Sequence, residues 1–133
     1  MERSIEIPSK LSSINDVRFF SEKLFSDLNI RIEIFNHVFL ALSEAVSNSI
    51  VHGNLHDDSK KIYIKACLEQ NSLVFEVLDE GQGFSLDLIE DPTWVNSLKN
   101  EKGRGIFLIR QIADEVMYLE GGRKVRISFK INQ

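Results

Sequence analysis

From Arg31 to about His52 the chain carries apolar residues at helical spacing over far more than a thin stripe: Ile34, Phe35, Val38, Ala41, Leu42, Ala45 and Val46. A helix that is apolar over so broad an arc must be covered on several sides, so it belongs at the centre of a packed domain. Directly after it the pattern changes to period two. Ile62, Ile64, Ala66 and Leu68 alternate, and Gln70-Asn71-Ser72 turns the chain into Leu73, Phe75 and Val77. One strongly apolar helix followed by half-buried strands restricts the chain to helices packed on a sheet.

The remaining segments fill in that scheme. Ser4 to Pro8 reads as a short first strand with Ile5 and Ile7 facing one way. Ser12 or Ser13 can cap a helix carrying Ile14, Val17, Phe20, Leu24 and Leu28, which Asn29 breaks. Gly53 is a natural stop for the central helix, at the position after its C-cap. Ser85 to Lys102 is polar and interrupted by Asp91-Pro92, hence a loop, and Gly105 to Ala113 forms a third helix. Val116 to Leu119 and Lys124 to Ile131 close the chain as a hairpin around Gly121-Gly122, with Val125, Ile127, Phe129 and Ile131 inward. Helices interrupt the strands without regular βαβ alternation. The expected class is therefore α+β: a two-layer α/β sandwich whose mixed, mainly antiparallel sheet is covered on one face by three helices. Residues 1–133 read as one domain.

With 133 residues and 43% hydrophobic content, the chain can bury a proper core. A net charge of −4 gives no reason to expect nucleic acid or an anionic membrane as partner. Cys67 is the only cysteine, which excludes an internal disulfide, and its place in a strand suggests a small core residue. No Cys/His cluster has zinc spacing, and no apolar run approaches the ~20 residues that span a bilayer. Glu2, Arg3 and Glu6 do not fit a signal peptide, so a soluble cytoplasmic domain is expected.

Three patches carry chemistry. In Glu44-Ala45-Val46-Ser47-Asn48-Ser49-Ile50-Val51-His52-Gly53, Glu44 and Asn48 lie four residues apart and so share a helical face. A carboxylate and an amide oxygen suit Mg²⁺, and a carboxylate can also accept a proton from an attacking hydroxyl. In Asp79-Glu80-Gly81-Gln82-Gly83-Phe84 a carboxylate ends a buried strand, and Gly81 and Gly83 remove side chains so that a flat ligand can approach. Gly103-Arg104-Gly105 opens an apolar helix whose first amides are unsatisfied and attract phosphate. Around it, Lys99, Lys102, Arg104 and Arg110 stand against Glu101 alone, reversing the sign of the whole chain. Singly, each patch is matched by ordinary structure: a polar helix edge, a tight turn, a solvated basic loop. In this order they form an inventory for a nucleotide and its magnesium.

The three patches resemble the N, G1 and G2 boxes of the GHKL ATPases. The wording EAVSNSIVHG, DEGQGF, DPTW and GRGIFLIR is similar to the anti-sigma factor serine/threonine kinases of bacteria. That resemblance implies the Bergerat ATP-binding fold, with ATP and Mg²⁺ as cofactors. It implies Glu44 as catalytic base, Asn48 as Mg²⁺ ligand, and Asp79 on the adenine amino group. Gly81 and Gly83 would shape the base pocket; Gly103, Arg104 and Gly105 would hold phosphate, with Ser85 to Lys102 as the ATP lid. The partners implied are a sigma factor, which is sequestered, and an anti-anti-sigma protein, which is phosphorylated on Ser or Thr; members often form homodimers. Many relatives place Gly-Thr before the last strand, whereas here Gly121-Gly122-Arg123-Lys124 stands without Thr. The expected function is an anti-sigma kinase; the alternative is a non-catalytic, nucleotide-gated binding module. Glu44 alone separates the two.

Overall fold

The computed structural model describes residues 1–82 and 101–131, with the side chains of 101–105 left aside. The strands are β1 (Glu2–Pro8), β2 (Lys61–Glu69), β3 (Ser72–Leu78), β4 (Glu115–Leu119) and β5 (Lys124–Lys130), and the helices are α1 (Ile14–Leu28), α2 (Phe35–Asn48) and α3 (Glu101–Ile112). The sheet runs β1-β2-β3-β5-β4, and each of its four pairings is antiparallel. The expected mixed sheet is thus antiparallel throughout the described strands.

Period two does what alternation dictates. Ile62, Ile64 and Ala66 of β2, Leu73, Phe75 and Val77 of β3, and Val125, Ile127 and Phe129 of β5 are all buried on one face. Against that face pack the apolar sides of the helices, with α2 contacting both α1 and α3. Val38, Leu42, Val46 and Ile50 of the central helical run are at most 1% exposed. Each such side chain contributes about 1.5–3 kcal/mol by leaving water, which is why this helix organises the core. Phe25 of α1 meets Phe35 of α2 edge to face at 5.1 Å. Asn29 ends α1 with φ 55°, a left-handed cap that asparagine tolerates.

Three sequence expectations are corrected. The segment Ile32–Gly53, 22 residues of continuous helical turns, is long and apolar enough by length and composition to cross a membrane. Phe35, Val38, Ala41, Leu42, Ala45, Val46 and Ile50 from it are buried in the core, as in the central helix of a packed domain, while Ile32 and Leu40 are exposed. Cys67 is not in the core: Ala66 and Ile64 take the inward positions, so Cys67 faces the open side of the sheet, half-buried near Glu69. That open side is polar, with Lys65 3.2 Å from Glu76 and Arg126 2.6 Å from Glu69. Finally, Gly53 does not cap α2 in a left-handed conformation. The helix widens into a π-type turn, Ser49–Gly53, and glycine is needed there for space.

Candidate functional site

The wide turn at the end of α2 brings Gly53 against the end of β3. Asp79, 5% exposed, follows that strand directly. A Cβ on Gly53 would lie 2.6 Å from Cγ of Asp79, and one on Gly81 would lie 2.6 Å from the carbonyl carbon of Gly53. Neither position tolerates a side chain without movement, so backbone closes on the carboxylate from two directions. Gly81 N–H donates to Oδ1 of Asp79 at 2.8 Å, and Asp79 N–H donates to the Arg123 carbonyl at 3.0 Å.

Behind this clamp stands Asn54, fully buried. Its Nδ2 donates to Ser9 Oγ at 2.6 Å and to the Lys61 carbonyl at 3.0 Å, while its Oδ1 accepts from Glu80 N–H at 2.8 Å. Lys61 N–H in turn donates to Glu80 Oε1 at 2.7 Å. One amide thus ties the loop after β3 to the paired ends of β1 and β2. A buried amide with both ends satisfied fixes geometry, because any other arrangement leaves polar atoms unpaired.

Asn48, Gly53 and Asp79 line one pocket, walled by Ile109 of α3 and by Tyr118 and Arg123 of the β4–β5 hairpin. Its volume is about 20 Å³, room for about one water. Burial pushes the Tyr118 phenol up to about 12, partly opposed by Arg110. The guanidinium carbon of Arg110 lies 5.9 Å from the centroid of the Tyr118 ring.

The sequence-derived residues distribute unevenly around this pocket. Asn48 and Asp79 are brought together in its wall. Glu44 is half-buried one turn earlier on α2 and is not part of that wall. Gly81 touches Gly53 rather than open space. Gly103, Arg104 and Gly105 lie inside α3, which begins at Glu101 instead of after the glycines. Gly83 and residues 85–100 of the expected lid, including Trp94, lie outside the described residues. Sequence reading missed Asn54 and Tyr118 and took Gly53 for a helix stop. The Gly53-Asn54 pair was the available signal for a tight approach, but nothing in the sequence names its partner, Asp79.

Chemically, a buried carboxylate in a glycine cradle can accept a hydrogen bond from an amine on a flat heterocycle. Asn48 Oδ1 and the Glu44 carboxylate are hard oxygen donors, and Mg²⁺ asks a protein for only one or two such groups when phosphates supply others. Among the described residues no group of three or more His, Cys, Asp or Glu could hold a metal by itself. The donor set fits a magnesium nucleotide; the room beside Asp79 is narrow for its base.

The family model of the histidine kinase-like ATPase domain matches residues 7–129. The anti-sigma F factor of Clostridium acetobutylicum is 27% identical, over 98% of this chain and 94% of that protein. That of Oceanobacillus iheyensis is 27% identical over 101 residues, 74% of this chain and 69% of its own. The serine-protein kinase RsbW of Listeria monocytogenes is 23% identical, over 98% of this chain and 87% of its own. Among solved structures, the RsbU and RsbW domains of Rv1364c from Mycobacterium tuberculosis superpose with a TM-score of 0.72 at 16% identity. That match covers 98% of this chain and 32% of the longer one, and it establishes a shared fold.

Proposed function

The chain belongs to the histidine kinase-like ATPase domain family, related to anti-sigma F factors and RsbW kinases, and from that premise we propose that it is an ATP-binding anti-sigma regulator. In this reading residues 1–133 act as one cytoplasmic domain that sequesters a sigma factor and phosphorylates a Ser or Thr of an anti-anti-sigma protein. Its partners are proteins, with no direct contact to nucleic acid or membrane, and a second copy of the chain is a candidate among them. The observation that carries the reading is the clamp on Asp79, where Gly53 and Gly81 give up their side chains to leave a carboxylate in a cradle beside Asn48.

Bound Mg²⁺–ATP would supply the phosphoryl group and the charge neutralisation for its transfer. The chain's own residues divide the rest. Asp79 accepts a hydrogen bond from the adenine amino group, with Gly81 and Gly83 shaping the approach. Asn48 offers its amide oxygen to the metal without adding negative charge near phosphate. Gly103, Arg104 and Gly105 hold phosphate oxygens from the first two turns of α3, Gly103 through an amide that still lacks an intrahelical acceptor. Glu44 takes the proton from the partner's hydroxyl.

A second reading keeps the binding and drops the transfer: a nucleotide-gated module that presents a protein surface. It is favoured by the position of Glu44 outside the pocket wall. Incubation with labelled ATP and candidate anti-anti-sigma proteins separates the two. The kinase reading expects Glu44→Gln to lower transfer ~10²–10⁴-fold while ATP affinity changes little. Wild-type transfer by Glu44→Gln would remove its assigned role, and absence of transfer by the wild type would favour the module.

A further inference from the structure

The pocket beside Asp79 has the right donors and too little room. Its volume is about 20 Å³, enough for about one water and far short of a purine. Most of its wall cannot yield. Val77 and Ile109 are at most 1% exposed and belong to the core, while Gly53 has no side chain to withdraw. Tyr118 is different. It is the one aromatic among the described residues of that wall, it comes from β4 at the edge of the described sheet, and among the described strands only β5 lies beside it. Its ring is packed under the Arg110 guanidinium of α3, the same helix that begins at the expected phosphate end.

We propose that Tyr118 sets the size of the nucleobase pocket: its ring occupies space that the base of a purine nucleoside triphosphate must enter, and binding requires that ring to move. This inference rests on the nucleotide-binding reading and adds to it a specificity-determining residue. The Asp79 clamp recognises the base edge, whereas Tyr118 decides whether a base fits at all. Because Arg110 lies over the ring, displacement of Tyr118 also disturbs α3, linking base entry to the helix that carries Gly103, Arg104 and Gly105. A closed form in equilibrium with a minor open one weakens apparent affinity by the open fraction. With minor states commonly at ~0.1–10%, removing the ring tightens binding by about tenfold or more.

The test is ATP binding by calorimetry, with association followed by stopped flow, for the wild type, Tyr118→Val and Tyr118→Phe. Valine removes the ring while keeping a strand-compatible branched side chain. Tyr118→Leu carries the same test if the valine variant melts without a cooperative transition. The expected result is ATP affinity at least about tenfold higher in Tyr118→Val than in the wild type, gained through faster association, with Tyr118→Phe showing a much smaller gain. A merely structural role for the ring could not produce tighter binding. Equal or weaker affinity in a folded valine or leucine variant would overturn the proposal while leaving nucleotide binding by the wild type intact. An equal gain in Tyr118→Phe would overturn it too, since it would assign the effect to the hydroxyl. Binding by Tyr118→Val alone supports it, and binding by neither protein would overturn both it and the nucleotide reading.

Discussion

Two carboxylates on neighbouring elements are held in opposite ways. Asp79 is 5% exposed, accepts a backbone N–H, and has two glycines pressed against or beside it. Glu44 is half-buried on a regular helix, outside the wall of the pocket that holds Asp79. Around Asp79 the cradle is built from backbone, so many residues must cooperate and few substitutions are tolerated. At Glu44 everything rests on one side chain. Binding and chemistry should therefore fail separately, and the substitutions that break the first should damage the fold as well.

The largest effect is expected at Gly81. Its added Cβ would meet Gly53 backbone rather than a flexible side chain, so Gly81→Ala should cost about 1–3 kcal/mol in stability and abolish nucleotide binding. Denaturant unfolding and calorimetry read both. Asn54→Ala comes next. It strips partners from Ser9, the Lys61 carbonyl and the Glu80 N–H, and should lower the melting temperature by an amount equivalent to about 1–3 kcal/mol. If either variant melts like the wild type, the Asp79 region is no more constrained than the Glu44 region and the contrast fails. The smallest effect concerns pH. The folded-state phenol of Tyr118 is pushed up to about 12 from the usual 10.0, so its contribution is intact below pH 10 and is lost as pH rises through 12. Stability should fall over that window, and Tyr118→Phe should flatten the fall.

Much of the fold was legible because alternation is a local signal. Val125, Ile127 and Phe129 declare their face in seven residues, and the structure buries all three. Cys67 was misread although the same alternation, applied from Ile62 to Ala66, places it outward. Asn48 and Asp79 were legible as residue types, and the fold brings them to one pocket. What escaped is nonlocal. Gly53 is glycine because of a carboxylate on another element, and Asn54 is buried because three separate segments converge on it. Tyr118 reads as one more strand residue, and only the hairpin brings it into the same pocket wall as Asp79. No spacing rule within a short window reports such meetings.

The central claim is that the buried Asp79 carboxylate recognises a nucleotide base. It is tested most directly by ATP affinity of Asp79→Asn against the wild type, measured by calorimetry on proteins shown to melt cooperatively. Asparagine keeps the size and can still accept the Gly81 N–H, but it is no longer an anionic acceptor. The account predicts affinity lower by about 10–100-fold, the loss of one buried charge-assisted hydrogen bond, with little change in stability. Equal affinity in the two proteins would contradict it.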